Sequence, residues 1–189
     1  MRLPKALTEL SGLSLEEIAT LAADQSLPPV ERWNPVHCGH SGMRIARDGS
    51  WYHEGDPIRR PELVRLFSRI LRREPDGHYV LVTPGEMLDI DVDDAPFVAV
   101  ELASEGSGEK RRLAFRLNTG DPVVAGSDHP IRVEETSDGP QPTLQVRGGL
   151  TALIARPVYY ELASLALEEA NDPPGLWSDG AFFRLDGRA

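Results

Sequence analysis

Apolar and polar residues first define a helix, then a mostly β chain interrupted by two further helices. Ser14-Leu15-Glu16-Glu17 is a capping-box pattern ahead of Ile18, Leu21 and Ala22, which predicts a helix from Ser14 to Gln25. Pro28-Pro29 stops it, and 28–41, with its prolines, Gly39 and mixed polarity, reads as an ordered connection. From Ile45 to Thr83 the order is turn, strand, helix, turn, strand. Asp48-Gly49 marks the first turn, and Trp51-Tyr52 opens an aromatic strand. Pro61 starts a helix whose apolar face is Leu63, Leu66, Phe67 and Ile70, at i, i+3, i+4, i+7. Asp76-Gly77 ends it, and Tyr79-Val80-Leu81-Val82 is the next strand.

Beyond Pro84-Gly85 the strands are short and regularly spaced. Between Met87 and Val92, Leu88, Ile90 and Val92 face one way and Asp89 and Asp91, with Asp93, the other: a half-buried strand whose charged face discourages edge pairing. Phe97–Leu102 and Arg112–Leu117 are joined across a flexible S-E-G-S-G-E-K loop. Pro122–Ala125, Ile131–Glu135 and Leu144–Arg147 follow. Pro157 opens a last helix with Tyr159, Leu162, Ala163 and Ala166 on one face, and Ala181–Leu185 is a terminal strand.

The two later helices share a signature. At an offset of 96 positions both read I-x-R-P-x-x-x-x-L-x-S-x-x-L, from Ile58 and from Ile154, and D-G turns flank each copy. Self-similarity of this kind points to internal duplication. The expectation is an α+β protein of two related subdomains. Each has an antiparallel sheet and one packed helix, and the second is a curled sheet or partial barrel. The boundaries read as 1–41 for the N-terminal helix and connection, 42–86 for the first subdomain and 87–189 for the second.

Composition narrows the function classes. The 189 residues carry a net charge of −10 and a pI near 5.0. That disfavours nucleic acid and anionic membranes as partners, because a phosphate backbone needs a basic footprint. One small phosphorylated ligand, needing two or three arginines, stays compatible. A single cysteine, Cys38, rules out an intrachain disulfide and fits a reducing compartment. With no apolar h-region and no bilayer-length apolar run, the localisation expected is cytoplasmic.

The chemical motifs are weak. Asp89, Asp91 and Asp93 mimic the first calcium-loop positions, but the required Gly and Glu are Asp94 and Val100. His37-Cys38-Gly39-His40 is too tightly spaced for a structural zinc site and has no second cluster. Ser127-Asp128-His129 holds triad residue types, yet sequence neighbours cannot adopt triad geometry, so it reads as a turn. No cofactor and no metal is expected. Trp51, Tyr52 and His53 sit on the aromatic strand; Arg59, Arg60, Arg147, Arg156 and Tyr159 supply cations and a second aromatic near the R-P starts. Arg60 and Arg156 stand at helix entries, whose free N–H groups favour anions. For these arginines an anion site and pairing with local carboxylates are evenly balanced.

D-G-S-W-Y-H-E-G-D-P-I-R-R-P-E-L-V-R-L-F, D-G-H-Y-V-L-V-T-P, V-D-D-A-P-F and G-L-x-A-L-I-A-R-P-V-Y-Y-E-L together resemble an uncharacterised bacterial family, domain of unknown function 1285, over nearly all the chain after Trp33. The resemblance implies a duplicated α+β core whose second subdomain is superficially pleckstrin-homology-like. It also implies a nucleotide-type ligand where the subdomains meet and a role in signalling, with no catalytic residues to carry over. The functional expectation is a non-enzymatic sensor binding a small anionic ligand through Trp51, Tyr52, His53, Arg59, Arg60, Arg147, Arg156 and Tyr159. The alternatives are an adaptor acting as a homodimer through Tyr159-Tyr160 or Phe182-Phe183, and a hydrolase or transferase.

Overall fold

The computed structural model describes residues 14–23 and 27–187. They divide into two units: residues 27–96 with 148–150, and residues 14–23, 97–147 and 151–187.

In the first unit a single 3₁₀ turn, Val30–Arg32, precedes β1 (His37–Ile45), β2 (Trp51–His53) and β3 (Asp56–Pro57), then α2 (Pro61–Arg69), β4 (Leu71–Arg73), β5 (Tyr79–Val82) and β6 (Glu86–Val92). The sheet order is β3-β2-β1-β6-β5-β4. Two antiparallel meanders meet at a central parallel pair, with His37 opposite Glu86 and Ile45 opposite Val92. The expected purely antiparallel sheet is therefore mixed. The expected connection over 28–41 is partly the central strand β1, whose residues are mostly exposed and give no apolar alternation. A bulge between His40 and Arg44 breaks its register. Gly42 lies there at φ +69°, where a Cβ would sit 3.1 Å from the Glu54 side chain.

The core of this unit is Ile45, Trp51, Leu71, Val80, Val82 and Ile90, each less than 5 % exposed. α2 lays Phe67 on Trp51, with ring centroids 6.4 Å apart. Its predicted apolar face is corrected. Leu63 and Leu66 are exposed, while Arg65, Ser68 and Arg69 are buried. Arginine stems bury like aliphatic chains, which a count of apolar letters overlooks. The helix also ends sooner than expected, and Leu71 starts a strand.

The second unit begins with α1 (Leu15–Ala23). Its capping box is as read from the sequence: the Glu17 N–H donates to Ser14 Oγ at 3.2 Å, and the Ser14 N–H donates to Glu17 Oε2 at 2.7 Å. The expected end of this helix, residues 24–25, lies outside the described residues. Then come β7 (Phe97–Glu105), β8 (Arg112–Leu117), β9 (Pro122–Val124), β10 (Ile131–Thr136), β11 (Gly139–Arg147), β12 (Leu150–Ile154), α3 (Arg156–Glu169), β13 (Gly175–Ser178) and β14 (Ala181–Arg184). The sheet order is β10-β11-β12-β7-β8-β9, again two meanders joined by a parallel pair, and it curls into a half-barrel. Leu15 and Ile18 of α1 bury against Ala114 of β8, with Ala103 and Val124 alongside. Val158, Leu162 and Ala166 are the buried residues of α3: Leu162 and Ala166 of the expected face are buried, while Tyr159 and Ala163 are half-buried and Val158 takes the remaining place.

The boundaries differ from the sequence reading: the first unit already holds residues 27–41 and takes in 148–150 as well. The first unit ends at Pro96 rather than 86, because β6 hydrogen-bonds between β1 and β5. The N-terminal helix is not a separate segment but part of the second unit. The two matching sheets fit duplicated subdomains. The shared I-x-R-P register does not mark equivalent places in them, however: α2 follows the edge strand β3, and α3 follows the central strand β12.

Candidate functional site

Arg60 is the N-cap of α2, extended at φ −95° and ψ 107°, with no side chain capping the helix and Pro61 at its first turn. Its carbonyl accepts from the Leu63 N–H at 3.0 Å. Glu62 places a carboxylate in that turn. α3 begins with Arg156 itself, after Ala155, again uncapped by a side chain and with Pro157 behind it; its first turn holds no acidic residue. Arg59, Arg60 and Arg156 are all exposed. Both starts combine a cation with the positive end of a helix dipole, and at α3 no local carboxylate competes.

The other candidates have structural duties. Trp51 is 2 % exposed and belongs to the core, so its ring cannot stack an exposed base; this corrects its expected role. The Arg44 guanidinium covers the Tyr52 ring at 5.2 Å, and Arg44 also pairs with Asp93 at 3.3 Å. His53 is exposed near the sheet edge. Arg147 lies over Phe97 at 5.3 Å. The Tyr159 hydroxyl donates to the Leu185 carbonyl at 3.1 Å, and burial, with the Glu135 carboxylate adding to it, pushes its pKa up. These two aromatics and Arg147 hold their own units together, and Arg59, Arg60, His53 and Arg156 are left facing solvent.

The acidic strand face is also reassigned. β6 is central, not an edge, so its carboxylates do not guard an open strand. Asp89 lies 3.4 Å from His78 Nε2 and Asp91 3.7 Å from His40 Nε2. His78 Nδ1 also meets Asp76, whose pKa this hydrogen bond lowers. His37, Cys38 and His40 are exposed along β1, and no cluster of three potential metal ligands occurs among the described residues. Ser127-Asp128-His129 is the expected turn, closed by reciprocal main-chain bonds between Gly126 and His129.

Besides Arg65 and Arg69 of α2, sequence reasoning missed the buried Arg72 and Arg111. Arg72, 6 % exposed, donates to the Val30 and Trp33 carbonyls at 2.8 and 2.7 Å and pairs with Glu74. Arg111, 7 % exposed, pairs with Glu169 at 2.9 Å and reaches Ser104. Glu169 also accepts from the Gly108 N–H at 2.6 Å and from Asn171 at 3.2 Å. Burial pushes the Glu169 pKa up, but the Gly108 N–H and Arg111 outweigh it, and the net shift is down. The loop expected to be flexible is thus held at Gly108. Both arginines stand beside an apolar run, Leu71 before Arg72 and Leu113-Ala114-Phe115 after Arg111-Arg112, but a charged letter at the end of such a run reads as a solvated strand end.

The model of the N-terminal domain of a domain of unknown function, DUF1285, matches residues 28–95, and that of the C-terminal domain of the same family matches 96–185. The chain belongs to the DUF1285 family. A DUF1285 family protein from Silicibacter pomeroyi DSS-3 has a crystal structure 43% identical in sequence, with a TM-score of 0.76 over 93% of this chain and 96% of that one. A second DUF1285 family protein, from Shewanella baltica OS155, shares the fold at 24% identity and a TM-score of 0.51, over 68% of this chain and 96% of that one. No curated protein matches the chain. The DUF1285 domain boundary at 95/96 lies one residue from the end of the first unit at Pro96. No helix among the described residues is long and apolar enough to cross a membrane.

Proposed function

We propose that this DUF1285 protein is a non-enzymatic cytoplasmic regulator that binds a small anionic ligand of nucleotide type in signal transduction. The observation that carries the reading is the exposed arginine at an uncapped R-P helix start in both units, Arg60 and Arg156. Each pairs a guanidinium, suited to bidentate phosphate contacts, with free helix N–H groups. The net charge of −10 repels polyanions at long range, while a short-range arginine contact still holds one small anion. Arg156, with no acidic residue in its first turn, is the stronger anchor.

A thermal-shift screen of the full chain against nucleotides and nucleotide second messengers tests this. A ligand at a hundred times its Kd adds about 2.7 kcal/mol of stability. Arg60→Ala and Arg156→Ala should each weaken binding by about 1.5–3 kcal/mol. No shift with any nucleotide at millimolar concentration, or a shift indifferent to both substitutions, overturns the reading. The rival reading, a homodimeric adaptor, draws on α3, which leaves Tyr160 61 % and Leu167 79 % exposed. Phe183, by contrast, is buried and Phe182 packs on Trp177, so that pair is taken up internally. Light scattering across protein concentrations separates the two readings.

A further inference from the structure

The second unit has an open strand edge beside a groove, and we propose that it takes an extended peptide segment of a partner protein, apolar and carrying a basic residue, as an added strand. β12 pairs with β7 only from Phe97 to Ala99, and the Ala155 N–H closes this ladder on the Ala99 carbonyl. Beyond Ala99 the chain of β12 turns away into α3, while β7 continues to Glu105. On its other side β7 stays paired with β8 from Glu101 to Glu105.

The direction of each main-chain group follows from β8. The Leu117 N–H donates to Asp121, and the Leu113 carbonyl accepts from Ala125, so these positions of β8 face β9. The alternate positions, Arg112, Ala114 and Arg116, therefore face β7 and pair with Glu105, Ala103 and Glu101. Leu102 and Ser104 must then point their N–H and C=O groups out of the sheet. Among the described residues no main-chain bond to either group is present on that side. Two residues thus offer two donors and two acceptors in strand register, the arrangement that β-augmentation uses.

The same two residues line a groove of about 430 Å³, completed by Pro157, Tyr160, Glu161, Ser164 and Leu165 of α3. Tyr160 and Leu165 supply apolar wall. Glu161 is the one charge in that lining, because Arg111, which reaches Ser104, is already paired with Glu169. That carboxylate selects a basic side chain on the incoming strand. A second copy of this chain fits poorly, since it would bring its own Glu161 and a further net charge of −10 to the same edge. This inference goes beyond the anion reading and uses none of its arginines.

The test uses the full chain and three fluorescein-labelled peptides about ten residues long, enough to span the open edge. All alternate valine and threonine: one carries two lysines, one carries two glutamates, and one is the lysine peptide N-methylated at every second amide. In fluorescence anisotropy the lysine peptide should bind saturably. The glutamate and N-methylated peptides should each bind at least about tenfold more weakly. Glu161→Lys, an exposed helix position, should reverse the preference between lysine and glutamate peptides. Hydrogen exchange should show Leu102 and Ser104 protected only in the bound state. Equal binding of the three peptides, or unchanged exchange at both amides, overturns the proposal. A mass that doubles with concentration by light scattering and reverts in Ser104→Pro would assign the edge to a second copy instead, also overturning it.

Discussion

In the first unit α2 stands between the two meanders, and in the second α3 comes after both. The two six-stranded sheets are otherwise ordered alike, although the second unit adds α1 and the β13–β14 pair, so the difference bears on what the helix does for the sheet. β3 and β4 are opposite edges of the first sheet, and α2 is most of the link between them. A nine-residue helix covers about 13 Å, so it carries the chain across the sheet face. β9 and β10 are likewise opposite edges, but residues 125–130 join them, folded into the Gly126–His129 turn. Laid flat, six strands span roughly 24 Å edge to edge. A closed turn cannot reach that far, so the second sheet has to curl until its edges approach. The half-barrel is the geometric consequence of moving the helix out of the link.

The units also differ in how they bury a cation, and breaking each anchor sharpens the contrast. Arg72→Met should have the largest effect, about 4 kcal/mol, because it strips the Val30 and Trp33 carbonyls of a charged donor and leaves Glu74 unpaired. Urea unfolding read by hydrogen exchange should localise the loss to the first unit; equal loss in both would refute separate anchoring.

Glu169→Gln should come next, at about 3 kcal/mol, confined to the second unit, since Arg111 stays buried without its carboxylate. This anchor titrates. The folded-state pKa of Glu169 is lowered, so its stabilisation is present above the unfolded value, near pH 4.3, and fades as pH falls through the folded-state value. Acid melts of the wild type below about pH 4 should therefore loosen the second unit through this group, and Glu169→Gln should lose that part of the pH dependence. A variant as acid-sensitive as the wild type would break the argument.

Ser14→Ala should be the mildest, about 1 kcal/mol, as the reciprocal cap of α1 is lost. Circular dichroism melts with the exchange pattern of β8 would report it.

These differences show what the sequence displays and what it hides. The α1 cap, the R-P starts and β6 are legible because local rules produce them: a capping box, a fixed proline φ and strict alternation. β1 is hidden because its place depends on a parallel partner 49 positions away, as in the His37–Glu86 pairing, and its own side chains are mostly exposed. β12 is not among the expected strands: it is five residues long and runs directly into the R-P start, where a short apolar run does not separate strand from helix. The face of α2 was misread because its buried positions are arginines and a serine. The candidate site fared in the same way. The exposed arginines follow from helix-start chemistry, whereas the burial of Trp51 and the open edge of β7 arise only once distant strands pair.

The placement of α1 on β8 and β9 has a consequence in time. Ile18 leaves the ribosome about a hundred residues before Ala114, its partner in the core. At 5–20 residues per second that is on the order of 5–20 s during which the apolar side of α1 has no surface to rest on. All of the strands of the first unit emerge within that interval. The first unit can therefore complete its sheet while the second still waits for β8, and α1, made ahead of every described strand, is seated only once β8 has emerged.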